Sequence, residues 1–469
     1  MEQRIIIGAG PAGLTAAYQL AKKNFNCQLL EREVQVGGLA RTEQYQGYRF
    51  DIGGHRFFTK LKIVQEIWQE ILPKDFLTRQ RLSRIRYRGK YLDYPLKATN
   101  ILKNLGLLFC IKAAFSYIKA LFFPIKPEKS FEDWICNRFG HRLYQAFFKS
   151  YTEKVWGIPC TELSAEWAAQ RIRGLSFFSA LKNALFGTRG KKTIKTLIDA
   201  FEYPRLGPGQ MWETMAEKIT ALGSNIQLNH EVIRVEWKEN DIDAVITRDA
   251  SDNEHRFEGS YYFSSMGLQD LIQVMGEAVP ESVKKAAAHL GYRDFIMIAL
   301  IIKQENVNPD NWIYIHDDSV QVGRIQNFKN WSPALVPNSS TSCLGLEYFC
   351  YKNDSFWSKT DSELLEQAKE ELEKLKLTKK SDMLDGKVIR VAQAYPIYDS
   401  QYQLHVNTVR EFLSSFKNLQ LMGRNGMHKY NNQDHAMLSA ILAVENSLGA
   451  HHNTWSVNTA EEYHEEIQS

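Results

Sequence analysis

Residues 4–33 read RIIIGAGPAGLTAAYQLAKKNFNCQLLERE, and this stretch decides the fold. An apolar strand, a glycine turn, an alanine-rich helix and a second apolar strand follow one another, which predicts a βαβ unit. Gly8 and Gly10 permit a tight turn against a pyrophosphate, and Gly13 permits close packing of the helix on the sheet. Glu31 ends the second strand, where a carboxylate can accept hydrogen bonds from ribose hydroxyls. We therefore predict dinucleotide binding by Gly8, Gly10, Ala12, Gly13, Glu31 and Arg32.

A second glycine-rich stretch, VGGLARTEQYQGYRFDIGGHRFFTK at 36–60, follows the acidic residue directly. Its first glycine pair lets the chain wrap a pyrophosphate, and Arg41 adds positive charge there. Its second pair can bring bare backbone against an isoalloxazine face. The stretch resembles the FAD-binding segment of the amine oxidase and UDP-galactopyranose mutase superfamily. FAD is predicted in preference to a resident NAD(P), with contacts from Gly38, Leu39, Arg41, Gly53, Gly54 and His55.

His55 taken alone has an equal alternative as a core histidine in a glycine-rich hairpin. Its predicted role therefore depends on the glycines around it.

Composition and charge exclude several classes of protein. A formal net charge of +4 is small for 469 residues and gives no reason to expect nucleic-acid binding. The six cysteines contain no CxxC pair, so we expect reduced thiols, a cytoplasmic location and no metal site. The chain enters a strand at once, without the pattern of a secretory signal.

The apolar stretch at 101–127 is broken by four lysines. We expect a buried or interfacial amphipathic helix there, not stable membrane insertion.

The pattern of elements predicts an α/β protein whose Rossmann-type FAD-binding domain is accompanied by a helical domain and a mixed β-sheet substrate domain. The FAD domain is expected to be discontinuous, over 1–75, 205–290 and 415–450. A mostly helical domain covers 95–200, and the sheet domain covers 76–94 and 291–414. At 84–95 we predict a hairpin that turns at Gly89–Lys90, with arginines along one face. A homo-oligomer is an open alternative to a monomer.

Later stretches narrow the resemblance to the UDP-galactopyranose mutases, and to their longer, eukaryotic-type branch. YLDYPLK at 91–97 is similar to their aromatic-proline segment, and FFKSYTEKVWGIPCTELSAEWAAQRI at 147–172 to their helix–turn–helix motif. YPRLGPGQMWETMAEKI at 203–219, VGRIQNFKNWSP at 322–333 and GRNGMHKYNNQDHAM at 423–437 follow in the same order.

The resemblance implies a role for each matching residue. It assigns Arg171 and Arg324 to a diphosphate, Tyr395 and Tyr430 to phosphate hydrogen bonds, and His55 to the loop beside the flavin. His55, Arg171 and Arg324 are the predicted catalytic residues. The other predicted substrate contacts are Tyr94, Trp156 and Trp167, and the remaining cofactor contacts are Val232, Met266, Gly423, Arg424, Asn432, Gln433 and Asp434. We expect the polarity of 423–437 to be paired by ligand and not by protein.

The resemblance implies a cytoplasmic FAD-dependent mutase that interconverts the pyranose and furanose forms of an NDP-hexose for cell-surface glycan synthesis. Reduced FAD attacks the anomeric carbon through N5, with NAD(P)H as the external reductant. The alternative is an FAD-dependent oxidoreductase of the amine oxidase or protoporphyrinogen oxidase type, because the amino-terminal motif is common to both. The nucleotide-base pocket has no match in the sequence, so the sugar and nucleotide are not predicted.

Overall fold

The structure, a computed structural model, describes residues 3–94, 96–165, 168 and 200–458. Two predicted site residues, Trp167 and Arg171, lie outside the described residues. The strands of the described chain are β1 (Arg4–Ile7), β2 (Cys27–Leu30), β3 (Thr42–Tyr45), β4 (Tyr48–Asp51), β5 (Phe76–Gln80), β6 (Ser83–Tyr87), β7 (Lys90–Asp93), β8 (Ala200–Pro204), β9 (Asn225–Gln227), β10 (Glu231–Lys238), β11 (Asp241–Arg248), β12 (Glu254–Glu258), β13 (Tyr261–Ser264), β14 (Tyr292–Ile302), β15 (Trp312–Ile315), β16 (Arg324–Asn327), β17 (Ser342–Cys350), β18 (Met383–Pro396) and β19 (Leu419–Leu421).

The helices are α1 (Pro11–Lys22), α2 (Lys62–Ile71), α3 (Ala98–Leu105), α4 (Leu107–Phe122), α5 (Phe131–Phe139), α6 (His141–Leu143), α7 (Ser150–Trp156), α8 (Gly209–Ala221), α9 (Leu268–Val274), α10 (Glu281–Ala288), α11 (Phe328–Trp331), α12 (Asp361–Lys374), α13 (Tyr402–Leu413) and α14 (Gln433–Ser447). A π-helical segment, Tyr144–Lys149, joins α6 to α7.

A five-stranded parallel sheet with the order β19-β13-β1-β2-β9 carries the predicted βαβ unit. Its strands come from three separate parts of the chain, so the carboxyl-terminal segment returns to the amino-terminal sheet. Helix α1 packs on α14 in one core, where alanines such as Ala16 and Ala440 allow the two helices to approach closely. This sheet and its helices confirm the predicted Rossmann-type architecture.

A seven-stranded sheet with the order β18-β14-β17-β16-β15-β6-β7 forms the second layer. Strand β14, which pairs with β18 on one edge and β17 on the other, is buried at every position, as expected for an apolar run covered on both faces. Antiparallel pairing aligns Tyr314, Arg324 and Glu347 in one row across β15, β16 and β17. This row places a fully buried carboxylate next to a guanidinium within the sheet. The boundaries of the FAD domain at 1–75, 205–290 and 415–450 stay a prediction, as do those of the helical domain and the sheet domain.

The hairpin in this sheet differs from the prediction by one residue. Tyr87 pairs with Lys90, so the turn lies at Arg88–Gly89, where both residues have positive φ. Arg84 and Arg86 form ion pairs with carboxylates of Asp310 and Asp317 and are therefore structural cations. Separately, within the described ranges no helix has the length and apolarity needed to cross a bilayer.

Candidate active site

The glycine turn after β1 brings the start of α1 close to the sheet. Gly8 has φ +96°, a conformation that favours glycine. A Cβ on Gly13 would lie 1.8 Å from the carbonyl oxygen of Gly8, so only glycine allows this contact. Gly38 approaches the same turn, since a Cβ there would lie 3.1 Å from the Cα of Gly10. The two glycine-rich stretches thus form one bare backbone surface at the amino terminus of α1.

A cavity of about 910 Å³ opens beside this surface. Of the nineteen residues predicted to contact the cofactor, fifteen line it: Gly8, Gly10, Ala12, Glu31, Arg32, Gly38, Leu39, Arg41, His55, Val232, Met266, Gly423, Arg424, Asn432 and Gln433. They come from six separate segments of the chain. Their convergence is what a dinucleotide site requires, and the individual assignments stay predictions.

The four other predicted residues lie behind the cavity wall. Gly13 packs on the turn, and Gly54 faces Gln326 of β16 and Trp331 of α11. Gly53 faces His55, Arg324 and Glu347. Asp434 is buried, and its carboxylate accepts the N–H of His435 at 2.9 Å. Burial raises the pKa of Asp434 to about 6.

Polar atoms buried at the cavity wall test whether a cofactor fits. Among the described residues, His55 Nδ1, Asn425 Oδ1 and Gln433 Oε1 are buried without a hydrogen-bond partner, and all three residues line the cavity. Orphaned buried polar groups are costly, so a ligand with donors and acceptors would satisfy them. Together with the bare backbone at the start of α1, these buried polar atoms fit a flavin dinucleotide.

Glu31 occupies the expected place at the end of β2. Its carboxylate accepts the backbone N–H groups of Ala9 at 2.6 Å and of Glu33 at 2.9 Å. Burial raises the pKa of Glu31, although the two N–H donors act against that shift. The carboxylate therefore also ties the glycine turn to β2, in addition to the ribose contact that the sequence predicts.

The polar segment at 423–437 corrects one expectation. Arg424 donates to the backbone carbonyls of Asn431 and Ala394, and Asn431 donates to that of Gly423. Asn432 forms a capping box with His435 at the start of α14. The expectation that ligand alone pairs this polarity is wrong, because a helix start in a protein core needs these protein partners to hold its turn.

Three of the predicted substrate residues, Trp156, Tyr395 and Tyr430, form one aromatic cluster. Tyr395 and Tyr430 stack with ring centroids 5.6 Å apart, and Trp156 lies 6.2 Å and 6.1 Å from them. The guanidinium of Arg424 lies 4.8 Å from the Tyr430 ring centroid. Tyr94 is one aromatic ring further out, with its centroid 5.1 Å from that of Tyr314.

Arg324 is the second cation of this region. Its Nε donates to Glu347 Oε1 at 2.9 Å, and its Nη2 donates to Oε2 of the same carboxylate. Burial would lower the pKa of Arg324, but Glu347 raises it well above its usual value, so the guanidinium stays charged. Within the described part of the chain its third nitrogen, Nη1, has no hydrogen-bond partner. One edge of the cation is neutralised, and the other can accept an anion.

Burial and the nearby Arg424 and Arg324 lower the pKa of His55 to about 3. His55 is therefore uncharged at neutral pH. Geometry places both guanidinium groups near this imidazole: a Cβ on Gly53 would lie 3.9 Å from His55 and 4.0 Å from Arg324 Nη2, and Arg424 lines the same cavity as His55.

Sequence reasoning missed three residues of this region. Glu347 had a usable signal, because it is a lone carboxylate inside the apolar strand SCLGLEYFC and must be paired when buried. Gln326 donates to the same carboxylate at 2.9 Å. Tyr151, in the quoted 147–172 stretch, lies 5.6 Å from Tyr314 and carries a pKa raised by burial. Its spacing alone gave no reason to assign it to the site.

A family model described as flavin containing amine oxidoreductase matches residues 11–445. The chain belongs to that family. Members contain a flavin, so FAD is the cofactor that the family implies for the cavity described above.

Sequence relatives within the flavin-containing amine oxidoreductases point in two directions. A probable UDP-galactopyranose mutase of Klebsiella pneumoniae is 27% identical over 172 residues, which cover 34% of this chain and 42% of that protein. An L-amino-acid oxidase of Crotalus adamanteus is 26% identical over 274 residues, covering 53% and 48%. The chain thus spans less than half the length of either of these curated relatives.

Solved structures show the same fold over nearly the whole chain. A reduced UDP-galactopyranose mutase superposes with a TM-score of 0.84 and 22% identity, covering 98% of this chain and 99% of that one. A putrescine oxidase variant superposes with a TM-score of 0.63 and 15% identity, covering 95% and 99%. These likenesses establish the fold of this flavin-containing amine oxidoreductase.

Proposed function

We propose that the protein is an FAD-dependent sugar-nucleotide mutase, which interconverts the pyranose and furanose forms of an NDP-hexose. The observation that carries the proposal is the placement of two arginines around His55 and the stacked Tyr395 and Tyr430. A Cβ on Gly53 would lie 3.9 Å from His55 and 4.0 Å from Arg324 Nη2, and Arg424 lies over both tyrosine rings. Two half-buried cations next to a flavin cavity suit a diphosphate, whereas an apolar substrate has no use for them. Similarity to two mutases, one in sequence and one in fold, supports the same reading.

Each of these residues has a task in such a reaction. Bound reduced FAD would supply a nucleophilic N5 for the anomeric carbon of the sugar. Arg324, through Nη1, and Arg424 would hold the departing diphosphate and stabilise its charge. Burial raises the pKa of Tyr395, so its hydroxyl stays protonated and can donate to a phosphate oxygen. Arg171 and Trp167 belong to the same proposal on the strength of their motif alone.

The alternative is an FAD-dependent oxidoreductase that acts on amines. One feature favours it: Glu347 places a fully buried carboxylate beside a stacked aromatic pair, and such an arrangement also suits an ammonium group. The L-amino-acid oxidase relative points the same way.

An anaerobic assay separates the two functions. The protein is reduced, first with dithionite and then with NAD(P)H as the proposed physiological reductant, and offered UDP-, GDP- and dTDP-hexoses. The mutase proposal expects pyranose–furanose conversion only by the reduced protein. Arg324→Ala should lower the rate by about a hundredfold, as loss of an anion-stabilising group does elsewhere, while Arg234→Ala, which alters an exposed surface arginine, should not. Conversion independent of reduction, or peroxide release with amines and no conversion, contradicts the proposal.

We also propose a cytoplasmic location. All six cysteines are free and five of them are buried, which suits a reducing compartment.

A further inference from the structure

One face of the helical layer is apolar, exposed and basic. Seventeen large apolar side chains are exposed in the described residues, and ten of them lie between 102 and 125. Elsewhere such side chains are scattered singly, which is normal for a protein surface. Within the dense stretch, Phe115 is 69% exposed and Phe122 and Phe123 are each 76% exposed. We call this surface the α3–α4 face.

The α3–α4 face is continuous and firmly held from behind. Leu108, Ile111, Phe115, Ile118 and Phe122 recur every three or four residues along α4, so they share one side of the helix. The opposite side is buried and packs on α5 and α6. The backbone there is tightly apposed, since a Cβ on Gly140 would lie 2.7 Å from a backbone nitrogen of α4. The face is therefore a rigid feature of the fold.

Charge on this face has a single sign. Lys103, Lys112, Lys119 and Lys126 are exposed, and no aspartate or glutamate occurs from 98 to 127. None of the four lysines forms an ion pair with any described residue. By helical geometry Lys112 and Lys119 lie along one border of the apolar stripe, where long side chains can keep their ammonium groups in water while the stripe is covered.

We propose that the α3–α4 face is a docking surface for an anionic lipid bilayer, on which α4 lies parallel to the membrane plane. The combination of a wide apolar stripe with unpaired lysines at its border matches an interfacial helix. A second copy of the chain fits poorly, because a self-complementary contact would oppose lysines to lysines with no carboxylate between them. A transmembrane arrangement is excluded for this helix by its lysines and its length of 16 residues.

Docking in this way would orient the rest of the molecule. Phe109 and Ala113 of α4 belong to the same apolar cluster as Trp156 and Tyr430. The helical layer that faces the bilayer therefore also packs behind the aromatic side of the candidate active site. The proposal does not depend on which reaction that site performs.

Vesicle sedimentation of the full-length flavoprotein tests the proposal. The protein is mixed with sucrose-loaded vesicles of phosphatidylcholine alone or of phosphatidylcholine with phosphatidylglycerol. We expect binding that is stronger on the anionic vesicles and that weakens as salt is added. Lys112→Gln and Lys119→Gln should each weaken anionic-vesicle binding about fivefold, with little change on neutral vesicles.

Apolar variants provide the second arm. Phe115→Ser combined with Phe122→Ser should lower vesicle binding by more than about tenfold, given the apolar area removed. Leu404→Ser is the matched control, since Leu404 is 67% exposed on a different helix. Flavin content and the urea midpoint of each variant verify folding.

Three results would overturn the proposal. The first is no binding of the unaltered protein to anionic vesicles. The second is binding that the paired phenylalanine substitutions leave unchanged. The third is concentration-dependent self-association in sedimentation velocity that the paired phenylalanine substitutions abolish, when neither the unaltered protein nor the variant binds vesicles. That result would mean that a second copy of the chain covers the α3–α4 face.

Discussion

The carboxylate of Glu347 offers a test that discriminates between the two candidate functions. Glu347 on β17 lies opposite Arg324 on the paired strand β16 and neutralises one edge of its guanidinium. The Glu347 side chain is fully buried. Glu347→Gln removes that negative charge while it keeps the shape of the side chain. The net charge around a ligand bound at the free edge of Arg324 would then be more positive by one unit. An anionic ligand should bind more tightly, and a cationic amine should bind more weakly.

The size of the effect follows from Coulomb's law. A ligand atom on Nη1 and the carboxylate on the opposite edge of a guanidinium are separated by about 7 Å, so an effective dielectric constant of about 20 gives about 2.4 kcal/mol, or roughly 50-fold in Kd. With the dielectric constant of bulk water, about 80, the effect falls to about 0.6 kcal/mol, or roughly threefold. Because the site is buried, we expect a result nearer the larger value. The same change should cost about 3 kcal/mol of stability, since it leaves Arg324 without its charged partner.

Titration of UDP and of a simple primary amine into the oxidised flavoprotein measures both ligands, with flavin fluorescence or heat as the signal. Glu371→Gln is the matched control, because Glu371 is a buried carboxylate on α12 that accepts the backbone N–H groups of Gln321 and Val322, outside the cavity. The control should lose stability and leave both affinities unchanged. Tighter amine binding, or UDP affinity equal to that of the unaltered protein in a Glu347→Gln variant with full flavin content, would refute the assigned role of Arg324.

Three further substitutions test the cofactor half and the core. Gly13→Ala should destabilise the fold by about 1–3 kcal/mol and reduce flavin content, because α1 must shift by about 1.2 Å to relieve the contact with the turn; Gly291→Ala, whose nearest atom would be 3.4 Å away, is the control, and an unchanged flavin content in Gly13→Ala would contradict the close-packing argument. Burial raises the pKa of Asp51 to about 7, so its stabilising contribution is complete below about pH 3.8 and is lost as the pH rises through about 7. Between about pH 5 and pH 8 the free energy of unfolding should fall by about 2–3 kcal/mol for this reason. Urea midpoints should show that Asp51→Asn removes the loss while the exposed Asp252→Asn does not; equal pH dependence in both variants would contradict the assignment to Asp51. Glu31→Gln should lower the free energy of unfolding by about 1.5–3 kcal/mol, the value of one charge-assisted hydrogen bond, and so lower the urea midpoint. An unchanged midpoint would show that the hydrogen bonds from Ala9 and Glu33 to this carboxylate contribute nothing to stability.

The cofactor half of the molecule was predictable because its signal is local. The turn, helix and acidic residue at 4–33 are adjacent in sequence, and the structure gives a steric reason for Gly8 and Gly13. Gly13 is the clearest case, since no other residue fits against the carbonyl of Gly8. The strand at 292–302 has a local signal of the same kind, because a strand that is buried at every position has a mostly apolar composition.

The substrate half was only partly predictable, because its contacts depend on register. Glu347 faces Arg324 only since β16 and β17 pair with that alignment, and a shift of one residue would separate them. The hairpin turn predicted at Gly89–Lys90 lies at Arg88–Gly89 for the same reason, because a shift of one residue in the pairing moves the turn by one residue. At 423–437 the sequence displayed the polar groups correctly, but it could not tell protein partners from ligand partners.

The difference between the cofactor half and the substrate half explains why the chain can match both mutases and oxidases at similar, low identity. A flavin dinucleotide imposes the same steric demands on every member of a family, so Gly8, Gly13 and Glu31 are constrained whatever the reaction. The substrate side is set by a few side chains that project from paired strands, where one carboxylate changes the sign of the ligand that is preferred. In this protein Glu347 leaves Arg324 with one free edge, and the Arg424 guanidinium lies over the rings of Tyr395 and Tyr430, 5.7 Å and 4.8 Å from their centroids. On the function that we propose, the net charge of these groups decides between a diphosphate and an amine, and Glu347→Gln alters that charge at a residue that does not line the cavity.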